Sequence, residues 1–192
     1  MKKLTGPKKI KTAVFISGKG SNLNNLIKFS KFKNYPYSVD LIISNTNKAK
    51  GLKYSKKYGI EKKIISYDKK IKNDKKILYF LKQKKIKLIC LAGFMKILSS
   101  NFVKKFKGNI INIHPSLLPK YKGLNSHIRA IKNGEKFSGC SVHHVTSKLD
   151  SGKIILQKKV KISKKDTAFS LAKKVLKIEH LIYPAAIKKI LN

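Results

Sequence analysis

Tryptophan is absent from this 192-residue chain, methionine and cysteine each occur twice, arginine occurs once, and there are only eight acidic residues. Each shortage excludes something. Cys90 and Cys140 lie in separate apolar runs with no metal-like spacing between them, which argues against a disulfide framework or a cysteine zinc site and fits a reducing compartment. No apolar run approaches the roughly 18 residues of a membrane span, and Ala13-Val14-Phe15-Ile16 is too short for a signal-peptide core. A cytoplasmic chain without membrane attachment is expected. The scarcity of acids against 46 Lys+Arg leaves a net charge of +38, a balance that draws polyanions. The scarcity of arginine points the other way. Reading of guanine or phosphate favours the planar guanidinium, and Arg129 is the sole arginine among lysines spread through every segment. The charge therefore reads as compositional drift, and no specific nucleic-acid partner is expected.

What is present suffices for one core. With 42% apolar residues, a single domain over 1–192 is expected, residues 1–10 forming a flexible basic tail. Short β-rich runs alternate with longer amphipathic stretches, the pattern of an α/β fold with a mostly parallel sheet and helices on both faces. Strands are predicted at 12–17, 39–44, 64–65, 88–92 and 109–113. Helices are predicted from residue 21, near 47–58, around Ile77, Phe80 and Leu81, and near 125–134. Residues 140–145 and 154–162 read as strands without a long helix between them, so the late part of the sheet should be antiparallel. A last helix carries Leu171, Val175 and Ile178 until Pro184, which is expected to break or kink it.

Four places could carry chemistry. In Ser17-Gly18-Lys19-Gly20-Ser21-Asn22, glycines permit close backbone approach and the following helix offers free N–H groups, so the turn could cradle a phosphate or be an ordinary strand-to-helix turn. Leu23 stands where a dinucleotide fingerprint needs its third glycine. Asn112 and His114, two apart on a strand, share a face at its carboxyl end, where open α/β sheets bind ligands. They could stabilise an oxyanion and move a proton, or be merely structural. Asp150 is either an Asx-turn residue or a partner for an imidazole. Glu179 falls on an apolar helix face, where it meets an amine ligand or, by the reading favoured here, a lysine at the rim. His127, His143, His144 and His180 carry less information. The pair His143-His144 points to opposite faces of a strand, and no metal site is expected.

Taken together, these segments resemble the glycinamide ribonucleotide formyltransferases, folate-dependent enzymes of purine synthesis. The resemblance rests on Ile16 to Leu23, Leu91-Ala92-Gly93-Phe94-Met95-Lys96-Ile97-Leu98-Ser99, and Asn112-Ile113-His114-Pro115-Ser116-Leu117-Leu118-Pro119-Lys120-Tyr121. It continues in Ser141-Val142-His143, Leu149-Asp150-Ser151-Gly152 and Glu179-His180 before Tyr183-Pro184. It implies a Rossmann-like formyltransferase fold and transfer of a formyl group from 10-formyltetrahydrofolate, as co-substrate and without metal, to the amine of 5′-phosphoribosylglycinamide. Gly20, Ser21 and Asn22 would hold the phosphate and Glu179 would receive the reactive amine. Met95, Lys96, Ile97 and Leu98 would line the folate pocket, Lys70 would contact the folate, and residues 146–150 would close over it. Asn112, His114 and Asp150 would be catalytic, and the chain would be a monomer or homodimer acting on small molecules.

Departures from the family pattern are local. Lys96 and Lys70 stand where arginines are usual, Lys122 replaces a proline, Ser151 replaces a glycine, and the chain ends soon after Pro184. Lysine keeps the charge and loses the bidentate fork, which weakens anchoring. Methionyl-tRNA formyltransferases share Ser116-Leu117-Leu118-Pro119 but usually have alanine where Pro115 stands, and a further C-terminal domain. Formyltetrahydrofolate hydrolases use a related trio with water as acceptor and normally carry an N-terminal regulatory domain. A nucleic-acid-binding relative lacks support from any aromatic-and-basic stacking motif.

Overall fold

The computed structural model describes residues 9–66 and 70–192, with the side chains of 70–72 outside that description. An inner strand of its sheet is the apolar run expected near the N-terminus, β1 (Ile10–Ile16). Alternate side chains of β1 enter different cores. Val14 and Ile16 pack on one sheet face with Leu23, Leu26 and Tyr183, while Ala13 and Phe15 pack on the other with Leu41, Ile77 and Phe102. A strand buried on both faces must be apolar at every position, which is why the run reads as continuous rather than alternating.

From β1 the chain passes through α1 (Ser21–Ser30) to β2 (Tyr37–Ser44), then through a 3-10 turn (Lys50–Leu52) and α2 (Lys53–Tyr58) to edge strand β3 (Glu61–Ile64). Helix α3 (Lys70–Gln83) returns it to the other side of β1, where β4 (Leu88–Leu91), α4 (Ser100–Lys105) and β5 (Asn109–His114) follow. After α5 (Ser126–Lys132) come β6 (Phe137–His144), β7 (Ile154–Lys161) and the long α6 (Ala168–Leu191). The seven strands lie in the order β3-β2-β1-β4-β5-β6-β7. Pairings from β3 to β5 are parallel, and β5–β6 and β6–β7 are antiparallel. The winding reverses between β1 and β4, so the crevice at the carboxyl ends of these strands is the natural ligand position.

Several expectations are corrected. Residues 1–8 lie outside the description, but the tail does not extend to residue 10: Ile10 opens β1 and Lys9 Nζ donates to the carbonyls of Ser30 and Phe32. The third strand is Glu61–Ile64 rather than Ile64-Ile65, because an edge strand is held by its backbone ladder to Leu41–Ser44 and needs no apolar run. Helix α4, unforeseen, starts where Ser99 Oγ accepts the Phe102 N–H at 3.0 Å.

Pro184 neither breaks nor ends α6. Its missing N–H orphans the His180 carbonyl one turn earlier, and Asn25 Nδ2 of α1 donates to that oxygen at 2.6 Å. Cys90 in β4 and Cys140 in β6 are free thiols with no exposed surface, and burial pushes both well above the ordinary thiol range. Among the described residues no helix is long and apolar enough to cross a membrane.

Candidate active site

Strand β5 builds the site by alternation. Ile111 and Ile113 point into the core shared with α1 and α6, leaving Asn112 and His114 on the opposite face at the end of the strand. Antiparallel register sets His143 of β6 directly across from Asn112 and Ser141 across from His114. The loop after β6 then turns back on the strand. A Cβ on Gly152 would lie 1.7 Å from the His144 carbonyl oxygen, so only glycine lets the loop return this closely. The return brings Asp150, itself left-handed at φ 45, against β5.

The Asp150 carboxylate collects four partners. Oδ2 accepts the Gly123 N–H at 2.9 Å and lies 3.3 Å from His114 Nδ1. Oδ1 lies 3.4 Å from Asn112 Nδ2 and 3.5 Å from His143 Nε2. Burial pushes the Asp150 carboxyl up, but the His143 contact, the Gly123 N–H and the charges of both histidines outweigh it and hold the group below its ordinary value. His114 is only 5% exposed, and its second nitrogen, Nε2, donates to the Tyr121 carbonyl at 2.9 Å. Carboxylate on one side and carbonyl on the other are both acceptors, so this cage suits the doubly protonated ring. Ser126 Oγ closes it, donating to Tyr121 O at 3.1 Å and lying 3.4 Å from His114 Nε2.

His143 Nδ1 donates to the His144 carbonyl at 2.8 Å, leaving Nε2 to meet Asn112 Nδ2 at 3.2 Å. A neutral His143 accepts there from the Asn112 amide; a protonated one turns that nitrogen into a donor towards Asp150. His143 is thus part of the site, contrary to its low ranking in the sequence. Its signal lay in strand pairing, since an antiparallel neighbour of β5 must set some residue opposite Asn112. Tyr121, Gly123 and Ser126 were also missed, because two of them act through backbone groups that residue type does not announce.

A cavity of about 910 Å³ opens over this group. Met95, Lys96, Ile97 and Leu98 form one wall, and residues 146–150 and Leu124 to Ile128 form the others. Asn112, His114, His143 and Asp150 lie in it together. His127 also faces it, with Nδ1 buried and unpartnered; burial first, then the charge of His114, lowers its pKa. The Lys70 side chain lies outside the described residues. Among those described, no group of three or more His, Cys, Asp or Glu is placed to hold a metal ion.

Gly20, Ser21 and Asn22 gather at a different spot, the N-terminus of α1. Gly20, at φ 73, packs so closely on the 3-10 turn that a Cβ there would meet Gly51 Cα at 2.7 Å. Asn22 Nδ2 donates to Glu179 Oε2 at 2.7 Å. Glu179 is therefore partnered by an amide and not by the rim lysine expected from its position alone. Burial pushes its carboxyl up to about 7, Asn22 opposing the rise. The structure thus groups the candidate residues in two sets, Asn112, His114, Asp150 and 95–98 in the cavity and Gly20, Ser21, Asn22 and Glu179 at the helix.

The formyl transferase family model matches residues 10–187. Phosphoribosylglycinamide formyltransferase of Escherichia coli K12 is 39% identical over 177 residues, covering 91% of this chain and 84% of its own length. The human trifunctional purine biosynthetic protein adenosine-3 is 42% identical over 184 residues, and the chain spans 94% of itself but 18% of that longer protein. The crystal structure of phosphoribosylglycinamide formyltransferase from Brucella melitensis superposes with a TM-score of 0.90 at 39% identity, covering 95% of this chain and 96% of that one. This chain belongs to the formyl transferase family, among the phosphoribosylglycinamide formyltransferases.

Proposed function

We propose that the chain transfers the formyl group of 10-formyltetrahydrofolate to the amine of 5′-phosphoribosylglycinamide, yielding 5′-phosphoribosyl-N-formylglycinamide and tetrahydrofolate in purine biosynthesis. The observation that carries this is His114 set between the Asp150 carboxylate and the Tyr121 carbonyl, beside the Asn112 amide, on the wall of a large cavity. Such a group serves acyl transfer to an amine. The neutral amine attacks the formyl carbon, and the carbonyl oxygen gains charge as the carbon becomes tetrahedral. Asn112 turns an N–H towards that oxygen, and the charged imidazole stabilises it. Collapse expels N10 of the folate. The Nε2 proton of His114, released from the Tyr121 carbonyl, goes to N10, and the ring recovers one from the attacking nitrogen, so the proton count balances. Asp150 keeps the ring charged and oriented, and His143 holds Asp150 and Asn112 in register.

The binding roles follow the two groups of residues. Met95 to Leu98 and residues 146–150 hold the folate, with Lys96 at the wall and Lys70 as a further cationic contact. Free N–H groups at the start of α1, with Gly20, Ser21 and Asn22, hold the phosphate. Glu179, bonded to Asn22 through Oε2, offers Oε1 as an acceptor to the ribonucleotide and its amine.

Spectrophotometric assay of folate deformylation, with and without 5′-phosphoribosylglycinamide, tests the reading. Turnover only with the ribonucleotide is expected. Equal turnover without it would identify a hydrolase, and no turnover by folded protein would overturn the transferase.

A further inference from the structure

Ser17, the residue between β1 and the glycine turn, belongs to neither group of site residues, yet it is bonded to the loop of one and joined through the chain to the turn of the other. Its Oγ accepts the Met95 N–H at 2.8 Å and donates to Asn45 Oδ1 at 2.5 Å. Its own N–H goes to the Gly93 carbonyl at 3.1 Å. One residue on, the Gly18 carbonyl accepts the Gly51 N–H at 2.9 Å, and Gly51 is the residue against which Gly20 is packed. The loop after β4 and the turn before α1 thus share one anchor, and Asn45, just after β2, fixes which way that anchor's hydroxyl points. A serine hydroxyl has one proton. With the proton committed to Asn45, an oxygen lone pair is left for Met95, and the Met95 N–H is held only while Ser17 keeps its place.

We propose that Ser17 is a positioning residue that couples the two substrate pockets. Phosphate bound at the start of α1 fixes the turn, the fixed turn fixes Ser17, and Ser17 fixes the 93–98 loop that walls the cavity. The effect is reciprocal, since a coupling free energy acts equally in both directions. This inference rests on the assignment of phosphate to the turn and folate to the cavity made above.

Calorimetric titration separates the two. Tetrahydrofolate is titrated into the whole protein with and without saturating 5′-phosphoribosylglycinamide, a pair that cannot react. In the wild type, the ribonucleotide should tighten tetrahydrofolate about fivefold, the low end of ordinary coupling. Ser17→Ala should abolish that gain and weaken tetrahydrofolate alone about fivefold, the worth of one hydrogen bond, while ribonucleotide binding alone stays within about twofold. Ser17→Thr, which keeps the hydroxyl, should restore the coupling, and Asn45→Ala should lose part of it. A merely structural serine would weaken both ligands together and leave their coupling intact. Coupling that persists in Ser17→Ala, or is absent from the wild type, overturns the proposal. A wild type that binds neither ligand overturns the functional reading itself and takes this inference with it.

Discussion

His114 and Glu179 are candidate site residues that are both buried among polar partners. His114 faces acceptors along its two ring N–H directions, so Asp150→Asn removes the carboxylate that orients the ring and supports its charge during the reaction. We expect kcat to fall about a hundredfold to a thousandfold, the usual cost of losing electrostatic support at a developing oxyanion, with the circular dichroism of the fold unchanged. Asp150 has a lowered carboxyl pKa in the fold. Its ionised form therefore adds stability above the unfolded value of about 3.9, and this is lost as pH falls through the folded value. Glu179 runs the other way, because a carboxyl raised to about 7 in the fold favours folding when protonated. Its contribution is complete below the unfolded value of about 4.5 and disappears as pH rises through 7, a loss of about 3 kcal/mol. Urea denaturation at pH 5 and pH 8 should show that loss in the wild type and not in Glu179→Gln.

The elements show what local sequence can and cannot reveal. The strands at 39–44, 88–92 and 109–113 were legible because buried strands need continuous apolar runs, and the antiparallel end was legible because no helix fits between 145 and 154. The edge strand Glu61–Ile64 and the short α4 were not, since backbone pairing and one capping serine hold them. Asn112, His114 and Asp150 could be singled out by type and spacing, whereas His143 could not, because its role exists only once β5 and β6 pair in register. His143→Ala should accordingly lower kcat about tenfold to a hundredfold by letting Asp150 and Asn112 drift, with substrate KM values changed less; steady-state kinetics checks this. Pro184 leaves α6 unbroken because a helix-breaker's effect depends on what receives the orphaned carbonyl, and Asn25 lies 155 residues away in sequence. Asn25→Ala removes that donor and should destabilise the protein by about 1–3 kcal/mol, measured by chemical denaturation.

At the scale of the whole molecule the +38 charge is far larger than that of the few lysines, Lys96 and Lys148, that line the cavity. Binding to DNA or RNA should fall steeply with salt, by a log-log slope of about −0.9 per phosphate neutralised, without sequence preference. A salt titration that leaves a tight, sequence-selective component would show that the lysines have a dedicated use. The sheet also joins a parallel half to an antiparallel half across β5, and each half holds one enclosed thiol, Cys90 in β4 and Cys140 in β6. A thiol that is enclosed and kept protonated is silent to a disulfide reagent until the strands around it part. The two cysteines are therefore built-in clocks on the two halves. Equal labelling rates would mean that the sheet opens as a unit, and faster labelling of Cys140 would mean that the antiparallel half, which carries His143 and the Asp150 loop, breathes on its own.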